Sequence, residues 1–203
     1  NDILEKLTDT DAFNQQITES DNDAVSVTSN GFASNGDFNV EVTQLAQGSR
    51  LNSDNFTSSS DVVGSGTLSF GNGTDSFDVT IDAADTLSVI RDKINESSDN
   101  FGVTVNIVNG ESGSFLVFDS QITGEDNALT VTNSDPSLDK ISTNNISVRS
   151  ALDAKITIDG ITNVSSSTNE FKNTIEDLTL TVNTLTDADA PAKVSVSQDS
   201  ESG

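Results

Sequence analysis

Apolar and polar residues alternate along most of the chain. The alternation is clearest at Phe38, Val40 and Val42, which are separated by single polar residues, and it recurs over residues 77–81 and 154–158. Successive side chains of a β-strand point to opposite faces, so a period of two predicts strands with one buried and one solvated face. We therefore predict a mainly β protein with about ten or eleven strands.

The composition favours thin sheets over a large core. Only 33% of the residues are hydrophobic, against roughly 45–50% in an average soluble domain. Antiparallel sheets with one wet face tolerate such a composition better than buried parallel sheets. Low hydropathy with high net charge is also typical of disorder, which we expect only for the last few residues and for parts of 14–24.

The charge excludes two classes of partner. The chain has 33 acidic and nine basic residues, with a formal net charge of −24. This charge repels phosphate backbones and anionic lipid surfaces, so we expect neither nucleic acid nor membrane as a partner. The sequence also contains no apolar run of about 18 residues, the length that a membrane-spanning helix needs.

The residue inventory argues against catalysis. The chain has no His and no Cys, which rules out a Ser-His-Asp triad or a Cys-His pair. Paired carboxylates can hydrolyse glycosides, but the Trp and Tyr residues that usually line a sugar cleft are missing. We expect no enzyme, no catalytic residue and no cofactor.

Pairs of acids two residues apart raise the question of calcium, since hard oxygen ligands suit this ion. They occur at Asp9/Asp11, Asp21/Asp23 and Asp187/Asp189. None continues into a loop with Gly at its sixth and Glu at its twelfth position. We interpret the pairs as solvated surface charge and predict no metal site.

Helical spacing is confined to short segments. Ile3, Leu4 and Leu7 share one helical face, and Phe13 and Ile17 repeat the spacing weakly, so we read residues 1–24 as the end of a helical leg and a linker. Residues 85–97 predict the one convincing helix. Its apolar face is Leu87, Ile90 and Ile94, and Asp85 is the expected cap. A helical turn is also expected from Phe171 to Leu178.

Two further features concern organisation. Residues 52–66 are rich in Ser, Asp and Gly and read as a hinge. Four Asn-Gly pairs, which favour tight hairpins, begin at residues 30, 35, 72 and 109. The pattern of strands restarts near Ala151.

Residues 38–51 differ from their acidic surroundings and contain the uncharged stretch VTQLAQ. Together with three later segments in the same order, this stretch resembles the flagellar hook-associated protein 2 family, the cap proteins of bacterial flagellar filaments. The matching residues of the first segment are Phe38, Val40, Val42, Gln44, Leu45, Ala46, Gln47, Arg50, Leu51 and Phe56. The later segments are 66–109, similar to a flagellin-type insertion motif, then 112–131, and 150–182 with the pair Asp159-Gly160. At 176–178 Glu-Asp-Leu stands where the family usually has Gly, so the resemblance does not define the turn there.

The resemblance implies a fold of two β-rich head domains, the second inserted into the first, with one short helix in the inserted domain. The domains would be 1–24 as truncated leg and linker, 25–58 plus 149–200 as the first head domain, and 59–148 as the second. The heptad-bearing coiled-coil helices of the full-length family would lie outside this chain.

The function that the resemblance implies is structural. Cap proteins of this family form a ring at the distal tip of the flagellum and promote flagellin assembly. The expected partners are further copies through the full-length chain, flagellin subunits, and a host surface or mucin. The expected location is extracellular, after secretion. Two alternatives remain open: another flagellar axial protein (a flagellin or a hook–filament junction protein), and a calcium-dependent extracellular adhesin.

The family motif residues that we single out are structural: Val40, Val42, Gln44, Leu45, Ala46, Gln47, Asp159 and Gly160. We expect residues 38–47 to form a strand of the first domain with Val40 and Val42 inward, extended by Leu45 and Ala46. Gln44 and Gln47 are expected to bond backbone groups of the returning segment 153–165, because an amide both donates and accepts hydrogen bonds.

Overall fold

The computed structural model describes residues 16–198. The helix predicted over residues 1–8, Phe13 and the last five residues lie outside this range. The described residues form fifteen strands and one α-helix. The mainly β prediction is confirmed, and the strand count is higher than expected because several strands have only three or four residues.

In chain order the strands are β1 Gln16–Ser20, β2 Val25–Ser29, β3 Gly36–Gln44, β4 Arg50–Asn52, β5 Gly66–Gly71, β6 Ser76–Ile81, β7 Val103–Gly110, β8 Gly113–Ser120, β9 Thr130–Asn133, β10 Ile146–Arg149, β11 Ala154–Ile158, β12 Thr162–Ser166, β13 Glu170–Lys172, β14 Leu178–Val182 and β15 Ala192–Gln198. The α-helix, α1, is Leu87–Glu96, and two short 3-10 helices span Glu125–Asn127 and Pro136–Ile141.

The chain divides into two compact units. Unit 1 contains the residues up to Leu45 and those from Asp153 onward, and unit 2 is the continuous segment Ala46–Leu152. The first crossing between units therefore lies at 45/46, whereas the domain boundary was expected at 58/59. The second crossing lies at 152/153 instead of 148/149.

The physical reason for the shifted boundary is strand pairing. Residues 52–66 are not a hinge: β4 pairs with β8, and Phe56 bridges Ser114. Phe56 is buried in the core of unit 2. A polar composition concealed these contacts, because β4 is short and contributes only one apolar side chain, Leu51, to that core.

Unit 1 has two antiparallel sheets. The five-stranded sheet has the order β1-β15-β3-β11-β12, and the three-stranded sheet the order β13-β14-β2. Alternation produces the buried face of each strand, as in β15, where Ala192, Val194 and Val196 are buried between polar neighbours. Two predictions are wrong here. Residues 16–20 are a strand paired with β15, not the end of a helix. Residues 171–178, expected to form a helical turn, instead comprise the end of β13, the connection and the first residue of β14.

Unit 2 also has two sheets, of order β10-β4-β8-β7 and β6-β5-β9, with α1 connecting β6 to β7. Its core is a single cluster that includes the predicted apolar face of α1. Phe70 lies at its centre, stacked on Phe77 with ring centroids 4.8 Å apart and tilted against Phe118 at 6.0 Å. Such offset aromatic pairs add to the stabilisation from burial alone.

The N-cap of α1 lies one residue later than expected. Thr86, not Asp85, is the N-cap, and its hydroxyl accepts a hydrogen bond from the amide of Val89. The Asp85 carboxylate instead accepts the amide of Asp82 at 2.8 Å and the Lys93 ammonium at 2.5 Å. Asp85 thereby links the loop before α1 to the last turn of the helix.

Candidate functional site

The family motif begins in the middle of unit 1. Val40 and Val42 lie in β3 and are fully buried. On β11 they stand opposite Ile158 and Ile156, and Ile156 is also buried. The backbone of Val42 is bonded on its other side to Thr186, whose hydroxyl accepts the Val42 amide at 2.9 Å. The alternating part of the motif is thus the central strand of unit 1.

The end of β3 contains an irregularity. Gln44 pairs with Lys155 and Val42 with Ile156, so Thr43 is an extra residue in the ladder. The Thr43 hydroxyl donates to the carbonyl oxygen of Lys155 at 3.2 Å. A bulge of this kind bends the strand and increases its local twist. It lies just before the chain leaves unit 1.

Gln44 is the residue that closes unit 1 at this point. Its Nε2 donates to the carbonyl oxygen of Asp153 at 2.8 Å, within the expected returning segment. Leu45 is half-buried, so it is neither the fully packed residue that the closure hypothesis required nor a solvent-exposed one.

Ala46 and Gln47 belong to unit 2. Ala46 is buried. Gln47 forms a two-way backbone bridge with Leu152, at 3.1 and 3.0 Å, and its Nε2 donates to the carbonyl oxygen of Ser150 at 2.8 Å. The bonds of Gln47 therefore reach 150–152, just before the segment 153–165 that was expected, because the chain has already passed into unit 2.

Asp159 and Gly160 form the turn between β11 and β12. Both have positive φ, 54° and 71°, which is what a type I′ hairpin turn requires of its central residues. Asp159 also ties the turn to β3. Its carboxylate accepts the amide of Asn39 at 2.8 Å, and its own amide donates to the Asn39 carbonyl oxygen at 2.8 Å. The structure thus places these two motif residues beside Asn39 of β3, in the same sheet as Val40 and Val42.

A cluster that sequence reasoning missed lies directly after the motif in unit 2. Asp119 accepts hydrogen bonds at one carboxylate oxygen from Arg50 Nε at 2.7 Å and from Arg149 Nη2 at 3.3 Å. Arg149 Nε also donates to the carbonyl oxygen of Gly48 at 2.8 Å. The Asp119 carboxylate, through its hydrogen bond and its charge, raises the pKa of Arg50. This Arg-Asp-Arg cluster joins β10, β4 and β8, which are three neighbouring strands of one sheet.

Gly48 has a steric role in the same place. A Cβ built on it would lie 2.0 Å from the carbonyl oxygen of Ser120, so no side chain fits without movement of the backbone.

The sequence did contain a signal for the Arg-Asp-Arg cluster. The chain is strongly acidic and has only three arginines, and two of them, Arg50 and Arg149, belong to this cluster.

Among residues 16–198 no group of three or more acidic side chains is placed to hold a metal ion. Asp21 accepts the amide of Lys193 at 2.7 Å. A shallow hollow of about 570 Å³ lies on unit 1 between β1, β3 and β15 and is lined by polar residues such as Thr18, Glu19 and Ser195. Within the same range no helix has the length and apolarity to cross a bilayer.

Three segments of the chain match models of known protein families. Residues 1–49 match the family model of the flagellar hook-associated protein 2 N-terminus, and residues 151–203 match that of its C-terminus. Between them, residues 67–121 match the flagellin hook IN motif. The two terminal models end and begin within four residues of the crossings between units. The chain belongs to the flagellar hook-associated protein 2 family.

Relatives of known sequence agree with this assignment. The chain is 39% identical to flagellar hook-associated protein 2 of Aeromonas caviae in an alignment 199 residues long, which covers 93% of this chain and 42% of that protein. It is 30% identical to A-type flagellar hook-associated protein 2 of Pseudomonas aeruginosa, over 97% of this chain and 46% of that protein. The chain thus spans less than half the length of these two members of the family.

Solved structures of the family share the fold. The D2-D3 domains of the flagellar cap protein FliD from Escherichia coli superpose with a TM-score of 0.80 at 28% identity, covering 91% of this chain and all of that one. FliD (HAP2) from Pseudomonas aeruginosa PAO1 superposes with a TM-score of 0.79 at 25% identity, covering 88% of this chain and 86% of that one.

Proposed function

We propose that the protein carrying this chain caps the distal tip of a bacterial flagellar filament and promotes the assembly of flagellin there. In this proposal several copies form a ring, and the chain supplies the outer head of each copy. The observation that supports it most directly is the structural match to the D2-D3 domains of the Escherichia coli cap protein, which covers 91% of this chain and all of those two domains. The role is structural and extracellular.

Within this function we propose that units 1 and 2 are the two head domains, with the second inserted into the first. Each unit has its own sheets and its own buried residues. Segments outside this chain, predicted from the resemblance to form coiled-coil helices, would supply the main contacts among copies. None of the observations on residues 16–198 favours the further expectation of adhesion to a host surface or mucin.

Position on the filament distinguishes the cap from the alternative axial proteins. An epitope tag inserted between Glu111 and Ser112, the exposed two-residue turn joining β7 to β8, leaves the ladder intact. Immuno-electron microscopy of flagella carrying the tagged protein is expected to label the distal tip alone. Label along the whole filament would indicate a flagellin, and label at the hook end a junction protein.

Loss of the gene tests the assembly role. A strain without the protein is expected to lack filaments and to release unassembled flagellin into the medium. Expression of the tagged or untagged protein should restore filaments, and expression of flagellin alone should not. Filaments of normal length in the deletion strain would contradict the proposal.

A further inference from the structure

The charge of one sheet differs from that of the rest of the protein. The strands β10, β4, β8 and β7 contain only three charged residues, Arg149, Arg50 and Asp119. Among the four sheets of the described residues, this is the one in which bases outnumber acids. A surface with a small positive charge on a molecule of charge −24 is complementary to any acidic protein surface.

One face of this sheet is apolar but does not pack on the core of unit 2. Leu116 and Phe118 of β8 point into that core. Their neighbours Phe115 and Val117 alternate with them and therefore lie on the outer face, together with Asp119. Phe115 is half-buried and Val117 is buried, so Val117 adds no accessible surface there. Val108 stands opposite Phe115 on β7 and is 42% exposed. We call this side, with its Arg-Asp-Arg cluster, the outer face.

The strand at the edge of the sheet exposes further apolar surface. β10 pairs with β4 on one side only. Ile146 and Val148 on β10 are 65% and 55% exposed. An edge strand with accessible β-branched residues is a ready site for association, because its outer backbone groups have no strand partner. The outer face thus continues into an open, apolar edge next to two arginines.

A complementary segment exists in unit 1. The loop of residues 183–190, which we call the acidic loop, carries Leu185 at 57% exposure and the two carboxylates Asp187 and Asp189. The loop is anchored, since the Thr186 amide donates to the Val42 carbonyl oxygen at 3.2 Å. It also contains a backbone bond from Ala190 to Asp187 at 3.1 Å. An apolar tip beside two acids matches an apolar edge beside two arginines.

We propose that the outer face and edge of the β10-β4-β8-β7 sheet bind the acidic loop of a second copy of the protein. Leu185 of one copy then lies against Ile146 and Val148 of the next, and Asp187 and Asp189 lie near Arg50 and Arg149. This rests on the proposed ring and adds a surface to it. Because the two surfaces are different, the contact is head-to-tail, the type that closes a ring when the rotation between copies permits.

The contact is expected to be weak in this chain alone. Two copies of charge −24 repel one another at long range, and only screening by salt lets them approach. Local attraction between arginines and carboxylates then selects this face over others of equal exposure. Segments outside the chain would hold copies close together and raise the effective concentration of both surfaces.

The absence of cysteine makes the test direct. Chains with Ile146→Cys and chains with Leu185→Cys are mixed under mild oxidation in about 0.15 M salt, the range in which the screening length is about 8 Å. The matched control replaces Ile146→Cys by Val62→Cys, a β-branched residue of unit 2 that is 57% exposed and lies outside this sheet. We expect the 146–185 heterodimer to form at least fivefold faster than the 62–185 heterodimer.

A second pair of changes separates a specific contact from random collision. Asp187→Asn and Asp189→Asn in the Leu185→Cys chain lower the overall repulsion, so random collisions should become faster. The specific 146–185 reaction should become at least threefold slower, because the attraction to Arg50 and Arg149 is lost. Equal rates for the 146–185 and 62–185 reactions, or an unchanged or faster 146–185 reaction after the Asp changes, would overturn the inference. Labelling at the filament tip tests the cap function separately, so failure of either proposal is recognised without the other.

Discussion

Gln44 and Asp153, which are 109 residues apart in the chain, are joined by a hydrogen bond of 2.8 Å from the Gln44 side chain to the Asp153 carbonyl oxygen. They lie where the chain leaves unit 1 and where it returns. The bond closes the β3–β11 ladder at its last pair, Gln44 opposite Lys155. The Gln44 side chain thereby adds a hydrogen bond between the two chain segments at the point where backbone pairing between β3 and β11 ends, because the chain then enters unit 2.

Gln44→Glu should therefore destabilise unit 1. A carboxylate cannot donate to the Asp153 carbonyl oxygen, and the lost bond should reduce the free energy of unfolding by about 1–2 kcal/mol. Gln198→Glu, at an exposed position on β15, changes the charge equally and is expected to have little effect. Urea unfolding followed by far-UV circular dichroism compares the two, and equal losses would show that charge alone matters.

The apolar centre of unit 1 should depend on β11 more than on Leu45. Ile156 is fully buried, so Ile156→Ala should cost about 2–5 kcal/mol. Leu45 is half-buried, and Leu45→Ala should cost about 1 kcal/mol. Residue-resolved hydrogen exchange should locate both losses in unit 1 and leave unit 2 protected. A larger loss from Leu45→Ala would restore Leu45 as the main closing residue.

Gly48→Ala tests the steric requirement beside the first crossing. The added methyl would lie 2.0 Å from the carbonyl oxygen of Ser120, so backbone has to move, at an expected cost of about 3 kcal/mol or more. Gly110→Ala is the matched control, because its Cβ would meet nothing closer than 3.8 Å. Thermal unfolding of both variants measures the difference. A melting temperature of Gly48→Ala close to that of Gly110→Ala would contradict the close approach.

The boundary of unit 2 can be tested with two fragments. Residues 46–152 contain β4, Phe56 and the complete core cluster, so this fragment should fold and unfold cooperatively. Residues 59–148 match the boundary expected from sequence but lack β4 and Phe56. This shorter fragment should lose cooperativity, since β8 would have an unpaired edge and the core a cavity. Equal stability of the two fragments would show that 46–58 is dispensable.

The Asp85–Lys93 pair should make unit 2 sensitive to extremes of pH. The Lys93 ammonium holds the pKa of Asp85 below its ordinary value, and Asp85 raises the pKa of Lys93. The stability due to a lowered carboxyl pKa is present above about pH 4 and is lost as pH falls through the folded-state pKa. The stability due to a raised lysine pKa is present below about pH 10.4 and is lost as pH rises through the folded-state pKa.

Lys93→Met should remove part of both dependences while keeping the apolar stem of the side chain. Its free energy of unfolding is expected to approach that of the parent chain at about pH 2–3 and to differ most near neutrality. The matched control is Arg91→Met, because Arg91 also lies on α1 and its ion pair is with its neighbour Asp92. If Lys93→Met and the parent differ by the same amount at every pH, the pair does not contribute through its charges.

Local pattern was enough to predict the kind of protein this is. Single-residue alternation at Phe38, Val40 and Val42 determines a strand with one buried face, because side chains of a strand alternate whatever the strand pairs with. The spacing of Leu87, Ile90 and Ile94 likewise determines α1. The order of four motifs was sufficient for the family, and the missing His and Cys excluded triad and Cys-His catalysis.

What the tertiary structure decided are the features that depend on residues far apart in the chain. Residues 16–20 became a strand because β15 lies beside them, and residues 50–56 joined unit 2 because β8 and Ser114 bond to them. Neither segment has enough apolar residues for its sequence pattern to predict a strand. Their hydrogen bonds are made by backbone groups, which every residue carries alike, so the sequence could not reveal the partner. The same holds for Gly48. It has to be a glycine only because the carbonyl oxygen of Ser120 occupies the place of a side chain.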